Sequence, residues 1–569
     1  MLASLAGAGP SWLPLAALLL LFILSPFIVE TALTAAQPRR AWLAVGDVLR
    51  RRWFEASLGA IALAALGVRL VGVGVGLGHE RIDIDEHALA TSVLEFFRTG
   101  SLVHATSEDH PGLHFWLIAA GGLGTYLWAL MTGLVRSVDD VRPELFLWAG
   151  RTVNAVLAGG TVVLTGLVGR VVASPAAGLI AAGAVAVSPL ALETSSVLRN
   201  DVGMTFFVMV SAYAAQAVCS NPSRSSASAA GALAGVAAGV KITAVFALLP
   251  VSLAAALAVT GRQRWKNIAW CVAGFVAAVA VTNHFIWSDF SNFVRQISVD
   301  HGHVRRGHFA FTDTPRWSYV SLLGEYAVGW PTMVLAAGFA VYRLAAYDRR
   351  VWVLLAFPVP YLWFMTLKSA MFPRWVYVLV PFVAVAGAAG LLGFSQFLTR
   401  LPGRFLQTRG AAAAGRLLGA GIVLASLLPV AWPGAADISR RFTAPTYSLA
   451  EAWLAANVPP EDRVLLETGW LDLEGSGLRV VRVGDLRKEL VGDDFRLQEC
   501  RWIVVSEPAF DIPGLSRLFL VKQFVAAYGF GGNRGIDVRV YVRRPLEEQP
   551  GQAQTTDTPA RFGLRLSVE

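Results

Sequence analysis

Residues 81–116 read RIDIDEHALATSVLEFFRTGSLVHATSEDHPGLHFW and lie between two apolar runs, residues 56–78 and 113–135. The stretch holds an acidic pair, Asp85 and Glu86, a second pair, Glu108 and Asp109, and four histidines. Ionisable groups at membrane depth are costly and tend to be functional. The reading that follows is a polytopic membrane protein whose first polar connection is half of a site at one membrane face.

Composition supports the lipid setting. The chain of 569 residues is 55% hydrophobic and 15% charged, against about 25% charged in soluble domains. Several runs approach the roughly 20 apolar residues that cross a bilayer. Backbone groups in hydrocarbon must pair internally, so these runs are expected to be helices. No ten-residue alternation suggests an outer-membrane barrel. The net charge of +9 is expected to gather in cytoplasmic loops rather than on nucleic acid. Cys219, Cys271 and Cys500 form no disulfide framework.

The first apolar run is residues 12–33. Residues 1–11 lack the Lys or Arg of a signal peptide, so this run is expected to be a retained helix. The loop after it carries Arg39, Arg40, Arg50, Arg51 and Arg52 and is expected to be cytoplasmic. The run 56–78 then delivers the opening stretch to the outside. Residues 261–267, GRQRWKN, and the triplet Asp348-Arg349-Arg350 are further cytoplasmic marks. If every apolar run crossed, GRQRWKN would lie outside, against its charge. One run must fall short: either 176–192 is a partial helix, or 229–259 is one long helix. Only the first choice puts Asp201 outside. Both leave about twelve crossings. Glycines 72–78, GVGVGLG, have no βαβ context and are read as close helix packing.

From residue 437 the composition changes. LAEAWLAANVPPEDRVLLE reads as a helix, a Pro-Pro turn and a strand; residues 479–483, 501–506 and 538–544 read as strands, with a helix near 515–527. The expected organisation is an extra N-terminal helix and basic loop (1–55), a transmembrane module (56–435), a small soluble α/β domain (436–546) and a disordered tail (547–569).

All nine histidines fall in two stretches, 79–114 and 284–308, both on the expected outer side. Asp85 and Glu86 would sit about 100° apart on a helix, so one is expected to face a substrate while the other supports the fold or binds a cation. The plain alternative is a capped helix start. Arg199 and Asp201 precede an apolar run, which also fits a loop ion pair. Lys241 lies inside an apolar stretch and must snorkel or meet an anion, as must Arg374 in MFPRWVY. HGHVRRGH at 301–308 offers His301, His303 and Arg305 to a metal or a phosphate.

Six stretches, taken together and in order, resemble the GT-C type of integral-membrane glycosyltransferases. Within it they resemble the protein O-mannosyltransferase and aminoarabinose-transferase superfamily, glycosyltransferase family 39 and its bacterial relatives. They are IDEHALATSVLEFFRTGSL, EDHPGLHFWLIA, RTVNAVLAGGTVVLTGLVGR, SPLALETSSVLRNDVGMTFFV, GALAGVAAGVKITAVFALLP and FPRWVYVLVPFVAVAGAAGL. Gly112 stands where the family pattern has a second proline, and Trp375 where it has tyrosine.

The resemblance implies a mostly helical GT-C bundle that moves a sugar, with inversion, from a polyprenyl-phosphate donor to a protein or glycan hydroxyl. It implies an active site and C-terminal domain on the extracytoplasmic face of a bacterial inner membrane. It makes Asp85 the base and Glu86 a second catalytic residue, support or metal ligand. Arg199, Lys241, Arg374 and His110 become phosphate partners, with Asp201, His303 and Arg305 in support. A divalent cation, used by some relatives, would fall to Glu86, His110, His301 and His303; no nucleic acid partner is implied. The competing class is a transporter or flippase of lipid-linked sugars, which needs an anion site and broken helices but no base.

Overall fold

The structure, a computed structural model, describes residues 43–74, 77, 84–100, 112–283, 290–291, 293–295, 298, 317–368, 372–405, 421, 425–435, 438, 446–467, 471, 473, 476–483, 500–506, 518–524 and 538–542. The expected helix 12–33, the tail 547–569, and His110, His301, His303 and Arg305 lie outside these residues. The chain divides into two compact units, Met1–Ala444 with Ala527–Arg534, and Pro445–Ala526 with Gly535–Glu569.

The first unit is helical. In chain order its helices are α1 (Leu43–Val71), α2 (Ile84–Thr99), α3 (Leu113–Met131), α4 (Pro143–Val172), α5 (Pro175–Val187), α6 (Pro189–Thr194), α7 (Asn200–Ser220), α8 (Arg224–Val240), α9 (Leu248–Leu257), α10 (Arg262–Thr282), α11 (Ser318–Leu322), α12 (Trp330–Ala345), α13 (Arg349–Leu355), α14 (Pro358–Thr366) and α15 (Val380–Phe405). Among the described residues six segments are long and apolar enough to cross a membrane: Arg52–Val71, Leu113–Met131, Pro143–Val172, Asn200–Ser220, Arg262–Thr282 and Pro373–Leu398. A bent pair, Ser318–Ala327 with Trp330–Ala345, makes a seventh if it is one span. Its 115° bend turns at Gly329, whose φ of +84° favours a residue without Cβ.

Among the described residues, polar and proline breaks also cut several apolar runs into shorter helices. Pro189 has no N–H with which to continue α5, and the Ser188 hydroxyl accepts from Ala191 N–H at 3.4 Å to start α6. The run 176–192 therefore holds a helix of only 13 residues, about 20 Å long. At Lys241 the backbone is extended (φ −151°, ψ 126°) and the chain passes from α8 into a 3-10 turn, Ile242–Ala247. Residues 229–259 are thus not one helix, and both candidate runs are cut into helices shorter than about 20 residues.

Small residues let the helices close on one another. Along α8, Gly231, Gly235 and Gly239 face Cys271, Phe275 and Thr282 of α10, while Gly274 of α10 faces Ser228. A Cβ on Gly231 would lie 1.9 Å from the Cys271 carbonyl oxygen. Packing is what joins helices in lipid, where no hydrophobic force separates tail from side chain.

The second unit carries α16 (Thr446–Asn457) and a five-stranded sheet of β1 (Arg463–Glu467), β2 (Arg479–Val483), β3 (Trp502–Ser506), β4 (Phe519–Phe524) and β5 (Val538–Val542). The strand order is β2-β1-β3-β5-β4, with β1 parallel to β2 and β3, and β5 antiparallel to β3 and β4. Leu465, Val483, Ile503, Val505 and Tyr541 form its core. The helix expected near 515–527 is corrected: residues 519–524 are strand β4. FLVKQF has too few apolar positions to tell a helix face from a strand, and pairing with β5 decides the matter.

Gly231→Ala should force α8 from α10 and cost about 1–3 kcal/mol. Thermal unfolding of the purified chain beside Gly338→Ala, where nothing lies within 4 Å, checks it: equal melting temperatures would contradict the close approach.

Candidate active site

The burial pattern of α2 decides which acidic residue faces where. Leu89, Ala90, Val93 and Leu94 are buried against Phe115, Ile118, Phe146 and Leu147. Glu86 precedes them at helical spacing and falls on the same inward face, while Asp85 is turned away by about 100°.

Glu86 is 1% exposed. Its Oε2 accepts from Arg151 Nε at 2.7 Å and from Leu198 N–H at 2.7 Å, and its Oε1 accepts from Arg151 Nη2 at 3.0 Å. Arg151 also donates to the Val73 carbonyl at 3.1 Å. Both carboxylate oxygens thus hold the fold together, the arrangement expected of Glu86 as a support. Buried Asn154 donates to the Val197 and Arg199 carbonyls at 2.7 and 3.0 Å. Together they pin the turn between α6 and α7, which ends at Arg199.

That turn brings the charges together. Arg199 Nη1 donates to Asp85 Oδ2. Arg374 Nη2 donates to the same oxygen at 3.3 Å, and its Nε lies 3.9 Å from Asp201 Oδ2. Lys241 Nζ donates to Asp201 Oδ1 at 2.7 Å. Each is carried near a helix end: Asp85 on the first turn of α2, Arg199 and Asp201 at the start of α7, Lys241 just past α8, Arg374 at the 3-10 turn Pro373–Leu379. Tyr361 holds that last turn by donating to the Trp375 carbonyl at 2.8 Å, and the Phe372 ring lies 4.6 Å from the Arg374 guanidinium.

Asp85 is 44% exposed, and among the described residues its Oδ1 has no hydrogen-bond partner. Burial opposes its charge, but the Arg199 and Arg374 guanidiniums outweigh this and hold the carboxyl below the usual carboxylate range. Among the described residues three cations meet two carboxylates here, one positive charge in excess. Such a cluster can bind an anion and keep a carboxylate ionised beside it.

The structure thus joins Asp85, Arg199, Asp201, Lys241 and Arg374, while His110, His301, His303 and Arg305 fall outside the described residues. Among the described residues no group of three His, Cys, Asp or Glu could hold a metal ion. Sequence reasoning passed over His114 as a site residue. It sits at the second position of α3, buried, and Asp201 and Lys241 are the charges acting on its ring. Its place in an apolar helix was the available signal.

Residues 144–287 match the family model described as dolichyl-phosphate-mannose-protein mannosyltransferase. The match takes in Arg199, Asp201 and Lys241. Among solved structures, the chain is similar to ArnT from Cupriavidus metallidurans bound to undecaprenyl phosphate, with a TM-score of 0.50 and 14% identity over 86% of this chain and 98% of that one. The chain shares the fold of that protein. A similarity to the oligosaccharyltransferase AglB from Archaeoglobus fulgidus, in complex with an inhibitory peptide and a dolichol-phosphate, has a TM-score of 0.48 and 12% identity over 80% of this chain and 70% of that one. No curated protein matches the chain. Asp85 and Arg374 lie outside the family match and join the site through the fold alone.

Glu86→Ala or Arg151→Ala should each cost about 3–5 kcal/mol, because each strands a buried charge. Thermal unfolding of the full chain tests this. A loss no larger than that of Asp85→Ala would mean that the ion pair does not set the position of α2.

Proposed function

We propose that the protein transfers a sugar from a polyprenyl-phosphate donor to an acceptor hydroxyl on the extracytoplasmic face of a bacterial inner membrane. The observation that carries this reading is the meeting of Arg199 and Arg374 on one oxygen of Asp85, the other oxygen having no partner among the described residues. The cations suit a lipid-borne phosphate at the interface, where long basic side chains reach from apolar surroundings. The open oxygen suits a base.

In a single displacement the acceptor oxygen attacks the anomeric carbon as the bond from that carbon to the phosphate oxygen breaks. The hydroxyl proton passes to Asp85 Oδ1, and the bond pair stays on the leaving phosphate. Arg199, Arg374 and Lys241 stabilise the charge that collects there. Attack opposite the leaving group inverts the anomeric centre. A phosphate drawing the guanidiniums toward itself also weakens their hold on Asp85 and makes it a stronger base. Glu86 and Asp201 position the cations rather than touch the reacting atoms.

The distribution of basic residues supports the orientation. Arg349 donates to the Leu257 carbonyl and Arg350 to the Val171 carbonyl. Arg350 also receives Gln216 at its own carbonyl. These contacts gather the last turns of α4, α7 and α9 at one end, where Arg262, Arg264 and Lys266 open α10. The charge cluster lies at the other end of α7, about 30 Å away. Cytoplasmic loops collect such basic residues, so the cluster end is assigned to the outside. The protein or glycan nature of the acceptor and the C-terminal unit's place on the same outer face are part of this proposal.

Asp85→Asn should abolish transfer from a synthetic polyprenyl-phosphate sugar while polyprenyl phosphate still binds; unchanged transfer would overturn the enzyme reading and favour a lipid-sugar transporter. The pH profile adds a direction. With Asp85 held low, the acid limb of kcat/KM should lie below the ordinary aspartate value of about 3.9. Arg374→Gln removes a favourable charge, so its acid limb should move up and activity should fade at higher pH. An unmoved limb would contradict the assignment. For orientation, the exposed Trp265 replaced as Trp265→Cys should react with an impermeant maleimide only when the cytoplasmic face is opened.

A further inference from the structure

His114 is 4% exposed, yet among the described residues neither ring nitrogen has a hydrogen-bond partner. Buried polar groups are almost always satisfied, so an imidazole left bare on both sides calls for a reason. A second such atom lies in the same cluster: Asp201 Oδ2 is buried and has no hydrogen bond among the described residues, with Arg374 Nε at 3.9 Å.

The surroundings have been kept small. Gly203, two residues after Asp201 on α7, faces the ring, and a Cβ there would lie 3.1 Å from His114 Nδ1. Gly112, at the N-cap of α3, backs onto the carbonyl of Gly239, two residues before Lys241; a Cβ there would lie 2.5 Å from that oxygen. The helix end bearing His114 is therefore pressed against the two helix ends that bear Asp201 and Lys241.

Chemistry narrows what satisfies these atoms. A neutral imidazole needs an acceptor for its N–H and a donor for its other nitrogen, and a carboxylate oxygen needs a donor. A phosphate offers acceptors only and is already suited to the three cations. A hydroxyl gives and accepts at once, and a sugar brings several on one rigid ring. We propose that His114 and Asp201 Oδ2 form a hydroxyl subsite that holds the donor sugar beside the phosphate-binding cations. This rests on the lipid-phosphate donor proposed above. It assigns His114 to recognition of the sugar and the cations to recognition of the phosphate, so the two can be separated.

The experiment uses the full chain in lipid nanodiscs. The ligands are polyprenyl phosphate alone and polyprenyl phosphates carrying mannose, glucose or galactose. The wild type should bind the best sugar-bearing lipid about tenfold more tightly than the bare phosphate, the size of one well-made hydrogen bond. His114→Leu should lose that preference while binding the bare phosphate as before, and His114→Gln should recover part of it. Monodeoxy donors supply an independent arm: removing one hydroxyl should cost the wild type the same factor and His114→Leu nothing. A preference that survives in His114→Leu means that water alone satisfies the ring and overturns the subsite. An equal fall for both ligands reduces His114 to a fold or phosphate role and overturns it too, as does a wild type without preference. Failure of the wild type to bind either ligand would overturn the donor reading and the subsite with it.

Discussion

The buried pair of Glu86 and Arg151 is the constraint on which the site's geometry rests. It joins three parts of the chain far apart in sequence: α2, the first half of α4 and, through Leu198 N–H, the turn before α7. A charge pair this deep contributes little net stability compared with an apolar replacement, but leaving either partner alone is severe. Its value is therefore one of position. With Glu86 fixed inward, helical geometry turns Asp85 toward the cluster, and with Leu198 fixed, the next side chain, Arg199, meets it.

The same logic explains why every charged member of the site sits near a helix end. A cation in the middle of a spanning helix would face hydrocarbon, whereas at a break it can reach other polar groups. Lys241 marks this most clearly: the chain leaves α8 in an extended conformation at that residue, and its ammonium turns to Asp201. The breaks that shorten the apolar runs and the convergence of charges are one feature. Tight glycine contacts between α8 and α10 bring the ends close enough for it to work.

Much of this was legible from the sequence. Alternation of apolar runs and basic loops pointed to a helical membrane module, and adjacency of Asp85 and Glu86 already required that they face different ways. Which one faces inward was not legible, because it depends on which stripe of α2 packs against α3 and α4. The charge of residues 261–267 implied that one run falls short; that both candidate runs are broken, at Ser188-Pro189 and at Lys241, became visible only in the backbone. Periodicity misread residues 519–524, where the pairing partner β5 comes later in the chain. His114 was overlooked because a histidine in an apolar helix looks like ordinary core until its bare nitrogens and its neighbours Asp201 and Lys241 are known.

Charge balance ties the site to the proposed reaction. Among the described residues Arg199, Lys241 and Arg374 exceed Asp85 and Asp201 by one positive charge, and a sugar phosphodiester carries one negative charge. During transfer the leaving phosphate becomes a monoester and gains a second negative charge, its last proton having a pKa of about 6. In the same step Asp85 takes the acceptor's proton and becomes neutral, so the cluster's excess rises to two. The site and its lipid phosphate thus stay matched before and after the displacement, with no counter-ion drawn into a low-dielectric interface, where unbalanced charge is expensive. This matching requires that the base be one of the anions already holding the cations, which is the place Asp85 Oδ2 occupies between Arg199 and Arg374. A carboxylate elsewhere in the cavity could remove the proton equally well, but its neutralisation would not release positive charge where the leaving phosphate needs it.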